Sequence, residues 1–78
     1  MIEIRNQNGS IIYKTEADNL LYAELSGQNF RDADLCGAVL FQSNLSESDL
    51  QNADLRGANL THANLHRTNL RNASLKGA

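Results

Sequence analysis

Large apolar residues recur at every fifth position without a break: Leu20, Leu25, Phe30, Leu35, Leu40, Leu45, Leu50, Leu55, Leu60, Leu65, Leu70 and Leu75. A spacing of five fits neither regular element. On an α-helix, at about 100° per residue, a step of five turns about 140° and scatters the leucines round the cylinder. On a flat strand an odd spacing sends successive leucines to opposite faces. One path keeps all of them inside: a chain that turns a corner every few residues and winds into a tube.

The polar positions carry a second pattern. Two residues before the leucine-type position there is usually a small residue: Ala23, Ala33, Ala38, Ser43, Ser48, Ala53, Ala58, Ala63, Ala73 or Ala78. Immediately before it stands Asp or Asn, as in Asn19, Asn29, Asp34, Asn44, Asp49, Asp54, Asn59, Asn64 and Asn69, with Glu24, Val39 and Ser74 departing. Gln28, Ser48 and Thr68 lie twenty apart, and so do Gly37, Gly57 and Gly77. The segments NFRDADLCGA, DLQNADLRGA and NLRNASLKGA, starting at Asn29, Asp49 and Asn69, align at the same interval. The unit is therefore four pentapeptides, one coil of a four-sided tube. Residues i and i+20 are expected to stack at strand spacing, ~4.8 Å. The leucines and the small residues both point inward, and Gln28 is the poorest fit among them.

On these residues the chain resembles the pentapeptide repeat family, from about Asp18 to Ala78. The resemblance implies an all-β fold, a right-handed quadrilateral β-helix, here of about three coils. It also implies that the column Asp34, Asp54 and Ser74 is structural and faces the wall. The family is abundant in cyanobacteria, so one expected origin is a repeat domain of a longer bacterial protein.

Corners demand unusual backbone angles. Gly27, Gly37, Gly57 and Gly77 take positive φ without strain, and Asp32, Asn52 and Asn72 tolerate it. Type II-like turns are expected there, and turns with negative φ at Gln42, Glu47, His62 and Arg67. Residues 1–17 read differently. Apolar alternation around Asn8-Gly9 predicts a two-residue hairpin with Ile4 opposite Tyr13 and with Ile2, Ile4, Ile11 and Tyr13 on one face. This hairpin and its link are the expected N-terminal cap of the tube in 18–78, since solenoid ends need covering.

Charge and composition narrow the function. Nine acids against Arg5, Lys14 and Arg31 give −6 up to Asp54, while Arg56, Arg67, Arg71 and Lys76 give +4 beyond it. That polarity can orient a partner but is too mild for direct nucleic-acid binding. No apolar run is long enough to span a bilayer, so neither a membrane partner nor a membrane site is expected. The one cysteine excludes an internal disulfide, and a cytoplasmic setting is the expectation. His62 and His66 read as solvated corner residues without further ligands, so no metal site is expected. Cys36 shares an outward column with Arg56 and Lys76, and is read as an inert exposed thiol. Glu47 and Arg67 are stacked for an ion pair across coils. No catalytic set has a workable register and no cofactor is implied, so an enzyme is not expected.

One deviation points to function. Outward positions are polar, yet Leu21 and Phe41 share a column, Val39 lies on the same side, and Tyr22 follows Leu21. Either the hairpin or its link covers these residues or they form a partner-binding patch. The expected function is a structural or protein-interaction module that presents its walls to a protein partner or to itself. The uncapped C-terminal end offers a route to a homodimer. The alternative implied by the resemblance is a DNA mimic that binds type II topoisomerase (gyrase).

Overall fold

The computed structural model describes residues 1–78 and contains strands and turns but no helix. It is a fold of the β-helix type. Strand β1 (Ile2–Asn6), β2 (Ile11–Thr15) and β3 (Ala33–Asp34) form a sheet in the order β2-β1-β3. From Glu24 onward the ladder is built of single parallel bridges at an interval of twenty, from Glu24–Asn44 to Asp54–Ser74. Turns recur between successive leucines, so four of them separate each residue from its ladder partner.

The pentapeptide accounts for nearly every backbone amide. The leucine N–H donates to the Asp/Asn carbonyl of the next coil, as Leu35 does to Asp54 at 2.8 Å. The Asp/Asn N–H donates back to a small residue of the previous coil, as Asp54 does to Ala33 at 2.8 Å. The small residue closes the corner onto the leucine carbonyl, as Ala53 does onto Leu50 at 3.0 Å. The N–H of the first corner residue has no ladder partner, and here the Asp/Asn side chain supplies the acceptor. Asn59 Oδ1 takes the Thr61 N–H at 3.0 Å, and the same bracket forms at Asn19, Glu24, Asn29, Asp34, Asn44, Asp49, Asp54, Asn64 and Asn69. This is the physical reason for the Asp/Asn period.

The corners correct one expectation. Gln42, Glu47, His62 and Arg67 have φ of 56°, 60°, 58° and 59°, where negative values were expected, and Tyr22, at 58°, shares the conformation. The ladder is the cause. The central peptide of an inner corner offers its carbonyl to the preceding coil and its N–H to the next, as in Gln42 N–H to Thr61 O and Glu47 N–H to His66 O, both at 2.9 Å; at the end coils, as at His62, Arg67 and Tyr22, one of the two bonds is made. A turn with negative φ at its second residue would flip that peptide and break whichever of these bonds it makes. The stack overrides a local preference of about 1–2 kcal/mol per residue.

The core lies along the axis. Leu20, Leu25, Phe30, Leu35, Leu40, Leu45, Leu50 and Leu55 are buried, with Ala33, Ser43, Ser48, Ala53 and Ala58 beside them. Leu60, Leu65 and Leu70 are only partly buried and Leu75 is 43% exposed, because no coil stacks above them. One corner is opened by a hydroxyl. Gln28 N–H does not reach the Leu25 carbonyl; Ser48 Oγ stands between them, accepting from Gln28 at 3.2 Å and donating to Leu25 at 2.7 Å.

The N-terminal hairpin lies against the first coil. Ile4 is buried, and Tyr13 meets Phe30 edge-on with ring centroids 5.6 Å apart. Its loop differs from the expected one. Gly9 N–H bonds Asn6 O at 2.9 Å, so Gln7-Asn8 is the centre of the turn and Gly9, at φ 89°, follows it. The register runs Ile4↔Tyr13 and then Arg5↔Ile11, so Ile12 is an extra, bulged residue. The bulge turns Ile11 out to 41% exposure and packs Ile12 against the core instead.

Candidate functional site

The corner that carries Leu21 and Tyr22, Phe41 and Gln42, and Thr61 and His62 departs most from the polar rule. Tyr22 N–H bonds Phe41 O at 3.0 Å, which sets the two coils in register there. Tyr22 meets Phe41 edge-on at 5.9 Å between centroids, and Phe41 meets His62 at 6.1 Å. The hairpin does not cover this corner: Tyr22 is 66% exposed, Val39 50% and Leu21 39%. Of the two alternatives, cover by the N-terminal segment or an open patch, these exposures favour the open patch. The hairpin is held on the first coil by its β1–β3 pairing and comes beside the corner without closing over it: Ile2 and Ile4 share a cleft with Leu20 and Val39, and Tyr13 and Thr15 line a small pocket with Leu21.

Sequence reasoning placed Leu21, Tyr22, Val39 and Phe41 on one side, and the structure brings Leu21, Tyr22 and Phe41 to one corner with Val39 leading into it. It missed the His62 ring against Phe41. It also missed Gln7, whose carboxamide Nε2 spans two coils, donating to Asp32 O at 3.2 Å and Asn52 O at 2.7 Å. No local signal marks Gln7; its role depends on where the hairpin lands.

Beside Val39 an apolar cleft of about 320 Å³ runs between the hairpin and the wall, lined by Ile2, Ile4, Leu20, Leu35 and Ala38. Cys36 is exposed at its edge, with its N–H on Asp34 Oδ1 at 3.2 Å. Arg56 turns away to grip Asp54, Nη2 to Oδ2 at 2.7 Å and Nε to Oδ1 at 2.8 Å. That grip holds the Asp54 carboxyl down to about 2 and pushes the Arg56 guanidinium up. Hydrogen bonds from Ser26, then Asn44, lower the Glu24 carboxyl. Arg31 reaches Asp49 at 3.3 Å and also bonds the Gln51 side chain. The expected Glu47–Arg67 pair does not form, in keeping with the ~0–1 kcal/mol such an exposed pair would gain.

His62 and His66 are both exposed, and no group of three or more metal-ligating side chains is assembled. No helix is long and apolar enough to cross a membrane. At the far end Leu60, Leu65, Leu70, Leu75 and Ala78 line an open hollow of about 410 Å³.

Comparison with known proteins agrees with the geometry. The family model described as pentapeptide repeats matches residues 19–57 and 38–77, in 8 copies. No curated protein matches the chain.

Proposed function

The chain belongs to the pentapeptide repeat family, and on that premise we propose that it is a non-enzymatic interaction module holding a stiff wall out to a protein partner. In this reading residues 18–78 are a right-handed quadrilateral β-helix of about three coils, and residues 1–17 are its cap and link. The observation that carries the reading is the exposure of Leu21, Tyr22 and Val39 together beside Phe41, where the other exposed large apolar residues, Met1, Ile11 and Leu75, stand in the hairpin or at the far end. A ladder-bonded wall presents these side chains already ordered, so a partner meets little entropic cost. The setting is a bacterial cytoplasm, where a free thiol such as Cys36 stays reduced. The leucine-lined hollow is a second contact, suited to another copy of the chain or to further coils.

The test is capture by the immobilised chain in parallel with a Leu21→Ser, Tyr22→Ser double variant. A protein retained by the wild type alone, and bound again after purification, supports the reading. Identical partners on both place the function elsewhere.

The DNA-mimic alternative calls for a long anionic rod. This molecule measures 29 × 28 × 23 Å, and its late coils carry Arg67, Arg71 and Lys76. Supercoiling by DNA gyrase should proceed unchanged at micromolar chain. Inhibition would return the mimic reading to first place.

A further inference from the structure

The exposed corner holds backbone groups that nothing in the chain satisfies. Val39 stands where ten other pentapeptides place a side-chain oxygen on the first corner N–H, and the Phe41 N–H accordingly has no partner. In the same column Asn19 and Asn59 make that bond, to Leu21 and Thr61, both at 3.0 Å. The Lys76 N–H after Ser74 also has no partner, but the residue before its leucine there is polar. At Val39 alone an apolar side chain replaces the acceptor. The carbonyls of Tyr22 and Gln42 on the same corner accept no hydrogen bond, as at every corner except Asp32 and Asn52, so what sets this corner apart is the Phe41 N–H in its apolar surround. One free donor and two free acceptors therefore sit among Leu21, Tyr22, Val39 and Phe41.

We propose that this corner binds an extended peptide segment of a protein partner. The segment's carbonyl takes the Phe41 N–H, its own N–H reaches the Tyr22 or Gln42 carbonyl, and an apolar side chain lies on Val39 and Tyr22. The inference rests on the interaction-module reading and names the partner's chemistry. An orphan donor calls for an oxygen, and the apolar surround calls for an apolar side chain. An extended backbone provides both in alternation. The hairpin already shows a peptide using such groups. β1 pairs antiparallel with Ala33–Asp34, and past its end the Gln7 N–H donates to the second-residue carbonyl of a corner, Asp32 O, at 2.9 Å. The corner at Tyr22 offers the same kind of carbonyl with no segment on it. Val39 also gives up a bond that its neighbours make, a loss that exposure of the isopropyl group to solvent does not recover.

Val39→Asn tests this, because it supplies the missing oxygen from within and fills the partner's place while the fold is kept. A random-sequence peptide library is panned on the wild-type chain. The selected peptides are then titrated against both proteins, with amide hydrogen exchange read at Phe41. The selected peptides should carry apolar residues at alternate positions and bind the variant at least about tenfold more weakly. They should also slow exchange at Phe41, which in the free chain exchanges faster than Leu21 or Thr61. Peptides that bind both proteins equally, with perturbed amides elsewhere, overturn the inference and leave the module reading standing. Self-association abolished by Val39→Asn would assign the corner to a second copy instead. If no peptide is selected and no protein partner is captured, both the inference and the module reading fall.

Discussion

Ser43 and Ser48 are the same residue at equivalent inward positions, each 1% exposed, yet replacing them by alanine should move stability in opposite directions. Ser48 Oγ bridges Gln28 N–H and the Leu25 carbonyl, and those two groups have no other partner. Ser48→Ala leaves both unpaired near the core, at a cost of about 1–3 kcal/mol. Ser43 Oγ is buried with no partner at all. Ser43→Ala removes a hydroxyl whose desolvation nothing offsets, a gain of about 1 kcal/mol. The volume change is the same in both, so packing cancels in the comparison. Urea unfolding followed by circular dichroism reads the difference. With a slope of about 1 kcal/mol per molar, Ser48→Ala lowers the midpoint by roughly 1–3 M and Ser43→Ala raises it by roughly 1 M, the slope unchanged. If both variants lower the midpoint alike, burial of the hydroxyl rather than its bonding sets the cost, and the relay argument fails.

Three further outcomes follow from the ladder. Glu47→Gly should be neutral or stabilising by up to about 1 kcal/mol, since φ is already 60°, whereas Glu47→Val should lose 1 kcal/mol or more, by about the left-handed penalty; equal melting temperatures would refute ladder-imposed strain. Asp54 should titrate near 2 against an ordinary 3.8. Its folded value is depressed, so its contribution is complete above 3.8 and lost as pH falls through 2; Arg56→Gln should carry the midpoint back up, as followed by carbon NMR of the carboxyl, and an unmoved midpoint removes Arg56 as the cause. Val39→Asn should raise stability by about 0.5–1.5 kcal/mol through the restored bond to Phe41 N–H, and a lower melting temperature would show that Val39 packing outweighs it.

The leucine and small-residue periods and the stacking interval of twenty were legible because each follows from which side chains must be inside. The Asp/Asn period was visible, but its purpose was not. Only the full amide accounting exposes the one corner N–H without a ladder partner. Gln42, Glu47, His62 and Arg67 were misjudged because residue preference is local, whereas corner conformation is set by peptides one coil away. The hairpin was legible to within one residue, and that residue decided whether Ile11 or Ile12 packs inward. For the candidate site, Leu21, Tyr22, Val39 and Phe41 stood out as apolar intruders. Their freedom from the hairpin depended on where β1 docks, which no residue nearby announces.

The constant ladder interval also governs how the molecule can assemble. Pairing the first two coils closes a loop of about twenty residues, an entropic charge of ~2.7 kcal/mol plus a constant. After that, each added pentapeptide only zips onto an edge already in place, so most of the barrier belongs to one early event. Gln7 stands apart: its bond to Asn52 spans 45 residues. It can close only after the second coil is seated, which makes the hairpin tip a latch on coils already stacked rather than the seed from which the stack grows.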